Sequence, residues 1–138
     1  MRDATRDALV SRLSDCERVV EIGIGRQPAV ARALAAAGLD VTATDLRERP
    51  VPAGVTFVRD DVTDPDCAVY AGADALYACN LPPEFQRPAL SVAREVGASF
   101  LFTTLGGDPA VVSVSREAIP GGTLYAEPPP QNGTPPDK

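Results

Sequence analysis

The sequence predicts an α/β domain in which a mostly parallel, twisted sheet is covered by helices on both faces. Two observations predict this class. Short apolar runs alternate with stretches of helical periodicity over most of the chain, and the apolar runs end near glycine, aspartate or asparagine, as buried strands do before a turn. The 138 residues fit one domain, which buries roughly 68% of its unfolded surface. We therefore expect a single domain over residues 1–127.

The first third of the chain predicts a leading helix and then a strand–helix–strand unit. The ranges are 3–13 for the leading helix, 19–23 for the first strand, 29–37 for the second helix and 40–44 for the second strand. Pro28 suits the start of the second helix and Gly38 suits its end, because proline fits a first helical turn and glycine readily takes the left-handed capping conformation. The crossover between the two parallel strands should be right-handed.

The rest of the chain repeats this alternation less regularly. It predicts strands at 55–58, 73–79 and 99–104, a helix at 84–96, and a closing antiparallel hairpin with strands at 111–115 and 123–127. Pro120-Gly121-Gly122 would form the hairpin turn. Residues 128–138 are rich in proline and contain no apolar cluster, so we expect a disordered tail there.

The charge balance bears on partners and location. The net charge is -6, from 19 acidic and 13 basic residues, and the sole lysine is Lys138. This acidity argues against nucleic acid as an obligate partner, since phosphate binding requires a basic surface. An acidic, lysine-poor composition suits a high-salt cytoplasm. Genomic G+C bias toward arginine codons would deplete lysine in the same way. No apolar run reaches the ~20 residues of a membrane span, and we expect a cytoplasmic protein.

Cysteine and histidine usage argues against a metal site. The cysteines are Cys16, Cys67 and Cys79, without any C-x-x-C pair, and the sequence has no histidine. The usual zinc ligand sets cannot be assembled from these residues. We expect free thiols and no metal.

A glycine-rich turn follows the first predicted strand. Gly23 and Gly25 would let the backbone approach a ligand closely, or would serve only close packing of strand and helix. Glu21 lies two positions before Gly23 in an apolar strand, where a carboxylate is costly to bury without hydrogen-bond donors. A dinucleotide site would prefer a third glycine where Pro28 stands, and proline has no N–H for a pyrophosphate.

The E-x-G-x-G pattern at Glu21, Gly23 and Gly25 resembles motif I of the S-adenosylmethionine-dependent methyltransferases. The resemblance implies a three-layer Rossmann-like fold and a role for Glu21 in holding the amino-acid end of the cofactor. Asp45 ends the second predicted strand, 20 residues after Gly25, where it can accept both hydroxyls of a ribose. Such bonds contribute roughly 1.5–3 kcal/mol each when shielded from water. The alternative for Asp45 is an aspartate in a turn or at a helix start.

Two further predicted cofactor residues follow the third and fourth strands. Asp61 matches the position at which the methyltransferases bind the adenine amino group, although Asp60 can serve instead and Asp61 can be a turn residue. Asn80 opens Asn80-Leu81-Pro82-Pro83, which is similar to the N-P-P-[YF] loop that holds a target nitrogen in amino-methyltransferases. The match is interrupted by Leu81 and lacks the aromatic residue, Glu84 standing in its place. The structural alternative is a pair of prolines that stops a strand and starts a helix.

The predicted carboxylates would surround one cleft with negative charge, which favours a cationic sulfonium ligand over a pyrophosphate. Arg26 would pair with Glu21 or Asp45 in an empty site, or would reach the cofactor carboxylate. The loop at 103–107 would lie across the same cleft or serve only as a glycine turn.

Over about the first nine-tenths of its length, the chain resembles the archaeal uncharacterised protein family UPF0146. The shared features are the leading helix, E-I-G-I-G-R, the T-D of the second strand, the D-D after the third, the P-P-E loop and the final hairpin. This resemblance implies a methyltransferase-like fold and supplies no activity.

Three functions follow as hypotheses. The first is an S-adenosylmethionine-binding protein, with a methyltransferase activity on an acceptor that is small or presented by a partner. Any general base would come from groups such as Glu84, Tyr77 or Cys79, although alignment alone supports many methyl transfers. The second is a non-catalytic binding or regulatory module that works through a protein partner or as a homodimer. The third is a NAD- or nucleotide-binding domain.

Overall fold

The computed structural model describes residues 3–127, so the tail predicted at 128–138 lies outside the described residues. Helices α1 to α4 span Asp3–Leu13, Ala29–Ala36, Cys67–Tyr70 and Pro83–Val96. Strands β1 to β7 span Arg18–Ile22, Asp40–Asp45, Val55–Arg59, Ala75–Ala78, Ser99–Phe102, Ser115–Ile119 and Gly122–Glu127. The strands form one sheet in the order β3-β2-β1-β4-β5-β7-β6.

The direction of the strands separates the sheet into two parts. Strands β1 to β5 pair in parallel, whereas β7 runs antiparallel to both β5 and β6. It follows that β6 runs in the same direction as the first five strands. The strand order reverses between β1 and β4, and ligands of open α/β sheets bind beyond the carboxyl ends of the strands at such a point.

Helices cover both faces of the sheet and complete three layers. On one face, buried residues of α1 and α2 pack against the strands, among them Leu9, Leu13, Val30 and Leu34. On the opposite face the buried residues come from α3 and α4, among them Tyr70, Leu90 and Val92. Each fully buried side chain of this size stabilises the fold by roughly 1.5–3 kcal/mol.

Three aromatic rings connect the parallel part of the sheet to the antiparallel part. Phe102 of β5 stacks on both Phe100 and Tyr125, with ring centroids 5.1 Å apart in each pair. Such pairs add about 0.5–1.5 kcal/mol each beyond burial. This stack fixes β7 against β5.

The predicted fold class is confirmed, including the mostly parallel sheet and the antiparallel C-terminal strands. Within residues 3–127, no helix is both long enough and apolar enough to cross a bilayer.

The predicted first strand of the hairpin, at 111–115, is wrong in position. The strand is Ser115–Ile119, and its side chains are largely exposed. The preceding valines misled the prediction, because β-branched residues favour strands. Val112 and Val114 instead belong to a loop that packs against the buried face beside α4, where they cover apolar surface without joining the sheet.

No sequence pattern predicted α3, which is only four residues long. Asp66 is its N-cap residue, and the carboxylate accepts a hydrogen bond from the Ala68 N–H at 3.1 Å. A single helical turn is too short for periodicity to reveal. The turn is held in place by Tyr70, which is fully buried.

Candidate cofactor site

A cleft lies at the carboxyl ends of β1 to β4, beside the point where the strand order reverses. Of the predicted site residues, Gly23, Asp45, Asp61 and Asn80 line it. Its volume is about 190 Å³, below the roughly 300–1,000 Å³ typical of small-molecule pockets. A nucleoside in this cleft would therefore lie partly outside it.

The turn between β1 and α2 requires both of its glycines. Gly23 has φ +70° and Gly25 has φ +55°, a left-handed conformation that is strained for most other residues. The N–H groups of Gly23 and Ile24 both donate to the Thr44 carbonyl, at 2.9 and 3.0 Å. A Cβ at Gly23 would meet no atom within 4 Å, so backbone conformation rather than crowding demands glycine there.

Asp45 joins the ends of β1 and β2. One of its carboxylate oxygens, Oδ2, accepts a hydrogen bond from the Gly25 N–H at 2.8 Å. The other, Oδ1, accepts one from the Arg47 N–H at 3.2 Å and lies 3.6 Å from the guanidinium of Arg49. Because each carboxylate oxygen can accept two bonds, Asp45 retains capacity for a ligand. The turn role and the ligand role are therefore compatible.

Glu21 does not form part of the lining of the cleft. The side chain is fully buried and stands opposite Tyr77 of β4. The Tyr77 hydroxyl donates to Oε1 at 2.8 Å, while Oε2 has no partner within residues 3–127. Burial raises the pKa of Glu21 to about 8, although the hydrogen bond from Tyr77 opposes the shift. At neutral pH the protonated form therefore predominates in the protein without ligand.

Asp60 and Asp61 both line the cleft but differ in their engagement. Asp60 uses both oxygens within the protein: Oδ2 accepts from the Tyr70 hydroxyl at 2.5 Å and Oδ1 from the Asp66 N–H at 3.0 Å. Asp61 is exposed and accepts only through Oδ1, from the N–H and hydroxyl of Thr63. These bonds lower the pKa of Asp61. The second carboxylate oxygen of Asp61 is therefore more available to a ligand than either oxygen of Asp60.

Asn80 adopts a backbone conformation that is unusual for a side chain other than glycine. Its φ is +55°, and among residues 3–127 no other non-glycine residue has positive φ. Its N–H donates to the Thr103 hydroxyl at 2.9 Å, and the Leu81 N–H donates to the Thr103 carbonyl at 2.8 Å. The amide side chain of Asn80 makes no hydrogen bond to the described residues, so it is available to a ligand.

The departure from the N-P-P pattern has a structural cause. Leu81 is buried in the core beside α4, while Pro82 and Pro83 occupy the N-cap and first position of that helix. The prolines thus start a helix, as the structural interpretation of this segment predicted.

The profile of the Uncharacterised protein family (UPF0146) matches residues 5–127. The chain belongs to this family. A UPF0146 protein of Halobacterium salinarum is 57% identical over 109 residues, which are 78% of this chain and 84% of that protein. A UPF0146 protein of Archaeoglobus fulgidus is 47% identical over 91 residues, covering 66% and 70% of the two chains.

Several solved structures similar to this UPF0146 chain are methyltransferases. The RNA methyltransferase of Salinibacter ruber, in complex with S-adenosyl-L-homocysteine, superposes with a TM-score of 0.69 at 16% identity, over 98% of this chain and 96% of that one. The magnesium protoporphyrin IX methyltransferase of Synechocystis PCC 6803, with bound SAM, gives a TM-score of 0.63 at 14% identity, over 88% and 76%. At these identities the likeness establishes the fold, which is a Rossmann-like methyltransferase fold.

Arg26 of the UPF0146 chain takes neither of the pairings expected for an empty site. It is exposed and forms no ion pair with residues 3–127. Asp45 lies near Arg49 instead, and Glu21 is bonded to Tyr77.

The loop at 103–107 lines a second cavity rather than lying across the first cleft. This larger cavity has a volume of about 590 Å³ and is bounded by the loop and by the β6–β7 hairpin, including Arg116 and Tyr125. Asn80 lines both cavities. Sequence reasoning missed Arg116 because it placed the hairpin strand too early, and it missed the bond between Glu21 and Tyr77 because cross-strand register leaves no local signal.

Proposed function

We propose that this chain binds S-adenosylmethionine in the first cleft. The observation that carries the proposal is the meeting of the glycine turn, Asp45, Asp61 and Asn80 at one cleft, beside the point where strand order reverses. Two structures of the same fold are described with S-adenosyl-L-homocysteine or SAM bound, which supports a nucleoside ligand for this one.

Several features of the first cleft fit such a ligand. The open space above Gly23 admits a close approach to the backbone. In the proposed arrangement, the Asp45 carboxylate accepts hydrogen bonds from the ribose hydroxyls. The free oxygen of Asp61 accepts a hydrogen bond from the adenine amino group. The carboxylates attract a sulfonium, which supplies an electrophilic methyl group when the cofactor is bound.

Glu21 fits the cofactor in a different way. Its Oε2 is buried without a partner in the described part of the chain, which is unfavourable for a carboxylate but tolerable for a protonated carboxyl. A cationic ligand group placed near it favours the charged form. We propose that Glu21 acts on the amino-acid end of the cofactor through its charge, without lining the cleft.

If the chain transfers a methyl group, it does so chiefly by alignment. The Tyr77 hydroxyl is buried and donates to Glu21, and burial raises the pKa of Tyr77 well above its usual value. Burial likewise raises the pKa of the Cys79 thiol. Neither group is therefore a base at neutral pH. Glu84 is exposed in the first turn of α4, and holding acceptor and sulfonium in line suffices for many methyl transfers.

A second candidate function is a non-catalytic module that keeps the cofactor site. The burial of Leu81 and the helix start at Pro83 favour it, because the loop has no aromatic surface for a base. In that case a protein partner or a second copy of the chain would read out the bound state. A cytoplasmic location and adaptation to high salt stay predictions from the composition.

Calorimetric titration with S-adenosylmethionine and S-adenosylhomocysteine tests the cofactor site. We expect both to bind the natural chain, and Asp45→Ala to weaken binding roughly 100-fold or more, since two charge-assisted bonds to the ribose are lost. Absence of heat with either ligand, at sub-millimolar concentration and high salt, would end the proposal.

Two further variants separate the ligand role of Asp45 from its structural role. Asp45→Asn keeps an oxygen that can accept from the Gly25 N–H, so it should preserve the turn and still weaken the cofactor. Asp40→Ala, at the other end of β2, removes a carboxylate whose side chain is 66% exposed and should leave affinity unchanged. Equal effects of Asp45→Ala and Asp40→Ala would contradict the proposed ribose contact.

A further inference from the structure

The second cavity contains the polar groups that the cofactor proposal leaves unused. We propose that this cavity binds the methyl acceptor, and that the acceptor is a small molecule carrying an anionic group held by Arg116. This inference rests on the proposed function, since an acceptor presupposes a bound methyl donor.

The two cavities differ in charge, because among residues 3–127 the first cleft is lined by three carboxylates and no cation, whereas the second is lined by one arginine and one aspartate. Among the described residues that line either cavity, Arg116 is the one cation. It is exposed and forms no ion pair within residues 3–127. The first cleft instead presents Asp45, Asp60 and Asp61. An anionic group is therefore repelled by the first cleft and attracted to Arg116 in the second cavity, while the cationic cofactor favours the carboxylates of the first cleft.

The loop that lines the second cavity adds uncharged donors. Neither the Gly106 nor the Gly107 N–H is bonded to another group in the described part of the chain, and both glycines are exposed. Gly106 has φ +58°, so the loop keeps its shape only with glycine there. These amides and the planar guanidinium of Arg116 are the donor types that bind carboxylate and phosphate oxygens.

The two cavities meet at Asn80. Its backbone is fixed by the bond to Thr103 at 2.9 Å, and its amide side chain is available where the cavities adjoin. A molecule held by Arg116 and reaching Asn80 therefore approaches the cleft proposed for the cofactor. In the transfer, a lone pair on the acceptor nitrogen or oxygen bonds to the methyl carbon as the carbon–sulfur bond breaks. The bonding electrons stay on sulfur, and the acceptor proton is released to water.

The lining of the second cavity argues for a small acceptor rather than a nucleic acid. Tyr125 is the one aromatic residue among the described lining residues. It is only 6% exposed and its ring stacks on Phe102, so it offers no open face to a base. Asp108 also lines the cavity and repels a polyanion more strongly than a molecule with a single anionic group.

Nuclear magnetic resonance titration of the full chain tests this inference without knowledge of the acceptor. Inorganic phosphate and succinate serve as probes, at constant ionic strength set with chloride. We expect one or both to shift the amide signals of Gly106 and Gly107, and Arg116→Gln to weaken this binding about tenfold or more. Arg32→Gln, which removes an exposed arginine of α2 outside both cavities, should leave it unchanged.

The same titrations distinguish failure of this inference from failure of the proposed function. S-adenosylhomocysteine should shift signals around Gly23 and Asp45, and phosphate or succinate should still bind when it is present. The acceptor site is wrong if S-adenosylhomocysteine binds but neither anion shifts the amide signal of Gly106. It is also wrong if Arg116→Gln and Arg32→Gln bind the anions with equal affinity. If the anion displaces the nucleoside, the acceptor role is also wrong. Anion binding without nucleoside binding overturns the cofactor proposal, and with it the acceptor role.

Discussion

The two cavities of this chain are built by different parts of the fold. The first lies at the ends of regular parallel strands, where tight turns place carboxylates around a narrow cleft. The second is about three times larger and is enclosed by an irregular loop and an antiparallel hairpin. No helix connects β5 to β6 within the described residues. The contrast indicates that the regular part of the sheet provides a defined site, while the C-terminal part provides space and a cation.

The largest expected effect tests how the two parts are joined. Phe102→Ala removes the central ring of the stack that links β5 to β7, and we expect it to lower the free energy of unfolding by about 3–5 kcal/mol. Val111→Ala, at a 44% exposed side chain of the loop, should change it by less than about 0.5 kcal/mol. Urea unfolding measures both. Similar losses in the two variants would show that the stack does not hold the hairpin.

The next effect concerns the buried acid Glu21. The pKa of Glu21 is raised from 4.5 to about 8 by burial, so between these values the folded chain keeps a proton that the unfolded chain has lost. Stability therefore falls as pH rises through this window, by up to about 1.4 kcal/mol per pH unit. Glu21→Gln should remove this slope, since its amide does not titrate. Unfolding curves from pH 5 to 8 measure this slope. The same pH dependence in the natural chain and in Glu21→Gln would contradict a raised pKa of Glu21.

Two tyrosine variants, one at each region, allow the regions to be compared directly. Tyr77→Phe removes the 2.8 Å hydrogen bond that the buried Glu21 accepts from the Tyr77 hydroxyl, and we expect a loss of about 1–3 kcal/mol. Tyr125→Phe, at the second cavity, removes a hydroxyl with no hydrogen-bond partner among residues 3–127 and should be nearly neutral. Thermal unfolding at one pH measures the difference. Equal effects would mean that the Tyr77 bond contributes little.

The smallest effect is expected at the junction. Asn80→Gly relieves a left-handed backbone conformation, with φ +55°, but increases the freedom of the unfolded chain, so stability should change by no more than about 1 kcal/mol. Because Asn80 lines both cavities, binding of S-adenosylhomocysteine and of phosphate should both weaken. Titration of each ligand measures this, and weakening of only one would assign Asn80 to that cavity alone.

Sequence patterns predicted the part of the fold that depends on local periodicity. The alternation of apolar runs and amphipathic helices predicted β1 to β5 and the three-layer arrangement, and spacing alone placed Asp45 within reach of the glycine turn. The hairpin was displaced because exposed edge strands carry little hydrophobic signal, whereas neighbouring valines carry a strong one. The bond between Glu21 and Tyr77 depends on register between strands 56 residues apart, which no local pattern encodes.

Thr103 connects the two cavities, because it lines the second and is hydrogen-bonded to residues that line the first. Its hydroxyl and carbonyl hold the N–H groups of Asn80 and Leu81, and its own N–H donates to Ala78 of β4. The residue also begins the loop over the second cavity. A ligand that displaces this loop would therefore strain the rim of the first cleft. By thermodynamic reciprocity, occupancy of either cavity would then alter affinity at the other by the same factor.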